Sequence, residues 1–403
     1  MSTAFTGGYV VPVDGEPIEG GTVLIDSGQI VAVGADADVD IPDDAEIVDA
    51  SGTWVLPGFV ESHGHVGVYE EGDGWAGLDV NEMTDPNGAR LRALDGINPD
   101  DQGFRDALAG GVTTVVVKPG SGNPIGGQTV AVKSWGRTVD DMLLREPVSV
   151  KSALGENPKR VYGDKDKLPS TRLGVAAVIR DAFTKAQDYR SAREWAIRED
   201  QPFDRDNTQE ILARVLDGDL PWCQHSHRAD DIATAIRLSE EFGYKLILNH
   251  GTEGHLLADT LAHKDIPVII GPLIVGRSKV EVRRRTMRNP GILARAGVRI
   301  ALTTDHPVVP IDYLVHQATF AVKEGLDSET ALRAITVNPA KIMGLDDRVG
   351  SLKPGLDADL VLWSGDPLDV MSRAVRVFVD GREVYHFDES TGLGVTLNPF
   401  YQE

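Results

Sequence analysis

The sequence predicts an α/β fold: a (β/α)8 TIM barrel joined to a small β-sandwich assembled from the N- and C-terminal segments. Three observations predict it. Strand-like apolar runs alternate with helical patterns from residue 57 to 346. Both ends of the chain consist of short β-branched runs separated by turns. Several of the interior runs finish in histidine or aspartate, the residues expected where barrel strands open onto an active site.

Taken in order, "GTVLIDSGQIVAVG" and "AEIVDASGTWVLPG" supply terminal strands around a Ser-Gly turn and an Ala-Ser-Gly turn. Interior strands are expected at 55–62, 112–118, 147–154, 221–225, 244–249, 266–270 and 298–304. An eighth belongs between 119 and 150, at "QTVAVKSW". Helical patterns such as "DDIATAIRLSEEFG" and "SETALRAITVNPAKIMG" separate most of these runs. The charged stretch 157–205 reads as a long loop plus a helix, either a lid over the barrel mouth or an oligomer contact. "DADLVLWSGD" and "AVRVFVDGREVY" return to strand, the second with an Asp380-Gly381 hairpin signal. Neither end buries enough apolar surface to fold alone. The expected domains are therefore 1–56 plus 347–403 as one composite unit and 57–346 as the barrel.

Composition narrows the function classes. A chain of 403 residues with a net charge of −22 is a poor partner for nucleic acid or an anionic membrane, since both are polyanions. An acidic ligand would need a local basic pocket. The acids are spread along the chain, which fits a solvated surface in a high-salt habitat and an ordinary acidic cytosolic enzyme alike. Cys223 is the sole cysteine, so neither an intramolecular disulfide nor a cysteine zinc site is available. The start, "MSTAFTGGYVVPVDG", lacks a basic segment followed by a long apolar one. A cytoplasmic protein with a small-molecule substrate is expected, with a homo-oligomer as one open assembly state.

The chemistry lies in the strand ends. "PGFVESHGHVG" places His63 and His65 two apart, on the same face of a strand. "LPWCQHSHR" ends in His225 and His227, "KLILNHG" in His250, and "VRIALTTDHP" in Asp305. A single one of these is best read as a hydrogen-bonded structural residue. Together they form a set of nitrogen and carboxylate donors suited to a divalent cation. His227 and Arg228 follow the strand-end donor His225 and are substrate-contact candidates, with a supporting role as the alternative. Cys223 reads as a small buried filler, and His306 as a neighbour that supports Asp305. The remaining histidines, 255, 263, 316 and 386, fall on structural or exposed patterns. The loop "KPGSGNPIGGQ" lacks phosphate-binding spacing and reads as pocket wall.

These motifs resemble the amidohydrolase superfamily, in the branch of imidazolonepropionase-like and prolidase-like enzymes. "VLPGFVESHGH" is similar to the family's first strand, "AGGVTTVVV" to its second, "IALTTDHP" to its last, and "NPAKIMGLDDRVGSLKPGLDADLVLWSGDPL" to its C-terminal return. The resemblance implies a hydrolase holding one or two divalent ions, zinc foremost, with ligands His63, His65, His225, His250 and Asp305. A further bridging ligand is implied in "VSVKSALGENPKR": Glu156, slightly favoured because it needs no modification, or Lys151 if carboxylated. It implies hydrolysis of a C–N bond outside peptide chains, in a cyclic amide, an N-acyl amino acid or a dipeptide, by a metal-activated water with Asp305 as general base. The alternatives are deamination of a heterocycle and a non-catalytic barrel that keeps its metal for binding or assembly.

Overall fold

The computed structural model describes residues 2–72, 74–397 and 399. An eight-stranded sheet of barrel type forms the centre: β1 (Phe59–Gly64), β2 (Val112–Val117), β3 (Ile125–Lys133), β4 (Leu143–Ala153), β5 (Trp222–Ser226), β6 (Leu246–His250), β7 (Val268–Ile270) and β8 (Ile300–Leu302), neighbours in that order. The expected eighth strand lies where "QTVAVKSW" placed it, but it departs from the (β/α)8 pattern. β3 runs antiparallel to both β2 and β4. Its cause is length: only residues 118–124 connect β2 to β3, and a parallel crossover needs about a dozen residues or more.

The two ends of the barrel sheet meet without a paired ladder among the described residues. The seam is closed by Glu61 of β1, whose buried carboxylate accepts from the backbone and hydroxyl of Thr304 and from the His63 N–H, at 2.8, 2.8 and 2.9 Å. Thr303 donates to the His63 carbonyl at 2.7 Å, and His65 N to the His306 carbonyl at 3.0 Å. The first and last strand ends are thus fixed to each other by the residues that flank the donor motifs.

Alternation along the strands sorts the core. Val60, Val116, Ala131, Cys223, Ile247, Ile269 and Ala301, from seven strands, share one buried cluster inside the barrel. On β4 the register partner of Cys223 is Lys151, a wholly buried lysine whose Nζ donates to the Pro119 carbonyl at 3.4 Å. The outward faces join a larger core with the surrounding helices.

The stretch 157–205 is chiefly helical, which corrects the expectation of a long loop: helices span Glu156–Gly163 and Arg172–Arg198. The longer one buries Val175, Ile179, Phe183 and Ala186, and Phe183 packs on Trp222 and Tyr244 at centroid distances of 4.8 and 4.9 Å. It covers the barrel wall and does not roof the mouth. The helical pattern "SETALRAITVNPAKIMG" forms two helices, Ser328–Arg333 and Val337–Met343. No helix among the described residues is long and apolar enough to cross a membrane.

Both terminal segments enter one nine-stranded sheet. Strand Trp54–Pro57 pairs with Thr3–Val10 on one side and with Leu360–Trp363 on the other, so residues three hundred positions apart become neighbours. At Gly58 the chain passes directly from this sheet into β1. A Cβ there would lie 2.0 Å from Thr113 Oγ1, so only glycine permits the close crossing. The Asp380-Gly381 hairpin forms as expected, with φ of 48° and 75° at the two positions.

Lys133 of β3 couples the two sheets. Its ammonium donates to Asp357 at 2.8 Å and to Asp359 at 2.7 Å, all three being buried. Burial opposes the charge on Lys133, but the surrounding carboxylates outweigh it and raise its pKa. Removing one partner of such a buried cluster strands the others. Lys133→Met is predicted to cost about 3–5 kcal/mol in chemical denaturation; an unchanged midpoint would show that the cluster does not couple the sheets.

Candidate metal centre

The donor residues of β1, β5, β6 and the turn after β8 converge at one mouth of the barrel. His225 is inward because it lies two residues beyond Cys223 on β5. His250 and Asp305 reach inward by another route: both adopt left-handed backbone, with φ of 71° and 54°, where non-glycine residues are uncommon. The surrounding structure imposes that strain. His250 Nδ1 is paired with the Gly271 carbonyl at 2.8 Å, and Asp305 N donates to Thr303 Oγ1 at 3.0 Å.

Two groups of donor atoms result, each within 4.8 Å: His63, His250 and Asp305, and His225, His227 and His250. His65 joins the first through its Nε2, 3.4 Å from Asp305 Oδ1, while His63 Nε2 lies 2.9 Å from that oxygen. Outer hydrogen bonds aim several of the rings. His65 Nδ1 pairs with the Lys118 carbonyl at 2.7 Å and His227 Nδ1 with Thr252 Oγ1 at 2.7 Å, leaving each Nε2 turned toward the cluster. Ring centroids are 4.4 Å apart for His225–His250 and 5.0 Å for His63–His250.

Burial and crowding keep these imidazoles unprotonated. His63, His225 and His250 are held well below their ordinary pKa of 6.5, first by loss of water and then by neighbouring cationic groups; His227 is pushed down to about 4. Asp305 would be raised by burial, but the imidazoles of His250 and His65 outweigh that and keep it ionised. Neutral imidazoles around a carboxylate are the ligand forms a divalent ion takes. The fit has independent support: His63 Nδ1, both nitrogens of His225 and one oxygen of Glu281 are buried without a hydrogen-bond partner.

Other expected residues fall differently. Lys151 lies inside the barrel, and burial lowers its pKa to about 7, so much of it is free amine at neutral pH. Glu156 starts the helix after β4, half-buried, and its carboxylate is in neither donor group. Its backbone N–H donates to Glu281 Oε2 at 2.9 Å. Arg228 does not line the cavity over the cluster, because its guanidinium is held by Asp230 through two bonds of 2.8 and 2.7 Å. Cys223 is buried, as expected, and accepts from Lys118 Nζ at 3.6 Å.

A cavity of about 290 Å³ opens above the donors, with Tyr69, Leu273, Val282 and Val308 on its apolar side and Asn157, Lys279, Arg285 and Asn289 on its polar side. The glycine-rich loop contributes Gly120 and Ser121 to the wall. Lys118, Lys279, Glu281 and Arg285 were not singled out from sequence. Lys118 had a signal, a charge closing the apolar run "VTTVVVK". The other three sit in "VGRSKVEVRRR", whose charges give no hint of which side chains turn inward.

The histidine shifts predict an acid-labile cluster in the metal-free protein. Each folded-state pKa lies below the unfolded value, so each contribution to stability is intact above pH 6.5. It is lost as pH falls through the window toward the folded values, about 4 for His227. The expected loss reaches about 1.4 kcal/mol per pH unit for each histidine. Urea titrations of chelator-treated protein between pH 7.5 and 5 measure it; a flat profile would contradict the electrostatics.

The comparisons with known proteins agree with this geometry. The family model described as "Amidohydrolase family" matches residues 54–386. A solved amidohydrolase from Thermotoga maritima MSB8 superposes with a TM-score of 0.92 at 46% identity, covering 95% of this chain and 100% of that one. Amidohydrolase tasK of Hapsidospora irregularis is 30% identical over 90% of this chain, which spans 39% of that protein's length. An imidazolonepropionase of Rhizorhabdus wittichii is 27% identical, covering 86% of this chain and 88% of that protein. With its donor-lined barrel mouth, the chain belongs to the amidohydrolase family, in the imidazolonepropionase-like branch, and is an enzyme that hydrolyses C–N bonds.

Proposed function

We propose that the protein uses one or two divalent ions, zinc foremost, to hydrolyse the C–N bond of a small carboxylate-bearing substrate, an N-acyl amino acid, a dipeptide or a cyclic amide. His63, His65, His225, His250 and Asp305 are the proposed ligands, and Lys151 takes the bridging role ahead of Glu156. The preference for Lys151 rests on position: it faces the barrel interior, where burial lowers its pKa to about 7 and supplies the free amine that carboxylation by CO2 requires. An ion held by these residues would supply a water of lowered pKa and polarise the scissile carbonyl. Asp305 would serve as general base, accepting a proton and delivering it to the leaving nitrogen.

One observation carries the substrate class. In a chain of net charge −22, Lys279 and Arg285 line the cavity, and among the described residues neither has a carboxylate partner. Lys279 Nζ donates to Asn157 Oδ1 at 2.8 Å, and Arg285 to the Leu273 carbonyl at 3.2 Å; the buried Arg285 Nε has no partner. Two cations in the wall of the cavity that holds the donors suit a terminal carboxylate, which an arginine can hold through paired bonds. A cavity of this volume accommodates a substrate of about dipeptide size.

A screen of dipeptides, N-acyl amino acids, lactams and imidazolones, scored by released amine or acid, tests this reading. Asp305→Asn is predicted to lower kcat by about 10²–10⁴-fold, the range of a lost general base. Arg285→Met is predicted to raise KM for the carboxylate substrate while leaving hydrolysis of its amide analogue nearly unchanged. Equal effects on both substrates would contradict the carboxylate assignment.

A further inference from the structure

Glu281 lies in the segment that follows β7 and is 1% exposed. Its carboxylate is divided between two tasks. Oε2 accepts from the Glu156 N–H at 2.9 Å, whereas Oε1 is buried with no hydrogen-bond partner. The nearest donors face it: His227 Nε2 at 3.7 Å and His225 Nε2 at 3.9 Å. Both gaps are too long for a hydrogen bond. Both are shorter than two zinc–ligand bonds laid end to end, about 4.0–4.3 Å. His225 Nε2 is likewise unpartnered, and His227 is turned by its bond to Thr252 so that Nε2 points at the gap.

Local backbone is shaped around the same carboxylate. Gly155 has φ of 90°, and a Cβ there would stand 2.7 Å from Glu281 Oε2. The chain turning out of β4 therefore leaves room for Glu281 and at the next residue offers it an N–H. A buried carboxylate oxygen without a partner is costly in isolation, a cost that a cation would offset.

Resting on the reading that the barrel mouth binds divalent ions, we infer that Glu281, which lies just outside the two donor groups, closes its free Oε1 onto a cation held by His225, His227 and His250, so that the segment after β7 supplies a ligand of its own. The His63, His65 and Asp305 side chains hold the other ion, and His250 stands between the two groups. Metal binding would then fix Val280–Val282 against the mouth, alongside Lys279, which lines the substrate cavity.

The test uses the full chain, stripped with chelator and titrated with Co2+, with bound ion counted by mass spectrometry and followed by visible absorption. Wild type is expected to take up two ions per chain. Glu281→Gln, near in shape and uncharged, is expected to lose one or bind it at least about tenfold more weakly, with a changed absorption band. Thermal unfolding separates a ligand from a structural residue. Without metal, Glu281→Gln should melt no lower than wild type, because the buried Oε1 makes no hydrogen bond that the amide would lose; with metal, wild type should gain more. Equal stoichiometry and affinity in the two proteins, or the same melting loss with and without metal, would overturn the assignment to Glu281 while leaving the hydrolase reading intact. A wild type that binds no divalent ion would overturn both.

Discussion

Four buried imidazoles within contact of one another cannot all carry protons. Water is excluded from them, and each positive charge would repel the next, so the cluster exists as neutral lone-pair donors around the Asp305 carboxylate. Burying so many unsatisfied acceptors is costly unless a cation receives them. Much of the local structure is arranged to sustain the cluster: left-handed backbone at His250 and Asp305, backbone carbonyls on His65 and His250, and the Glu61 clamp that fixes the first strand to the last.

The same constraint explains departures from regular barrel geometry. Where the antiparallel β3 replaces a βα unit, the short 118–124 link brings Lys118, Gly120 and Ser121 to the mouth, beside the histidines. The terminal sheet abuts the barrel through Gly58 and is tied to it by Lys133, away from the donors. Packing therefore holds the lower barrel rigid, and the upper rim is free to carry polar groups that a core would reject.

Much of this was legible in the chain. His63, His65, His225, His250 and Asp305 stood out because each ends a strand-like run; periodicity gave the facing of His225, whereas His250 and Asp305 turn inward through left-handed backbone that no periodic pattern announces. The position of β3 was legible from its β-branched run. Its direction was not, since orientation depends on the length of a loop that contains no periodic signal. Lys151 and Glu156 were indistinguishable by type. The pairing of residue 151 with Cys223 across two strands, which decides who faces the interior, is a long-range property. Arg228 looked like a substrate contact until its local partner Asp230 became visible, and Glu281 gave no signal in a run of alternating charges.

Zinc-soaked crystals examined by anomalous diffraction at the metal edge give the most direct measurement. The account predicts density among His63, His65 and Asp305, and a second peak among His225, His227 and Glu281. An anomalous map with no peak at the barrel mouth, at a resolution that shows the imidazole rings, would contradict it.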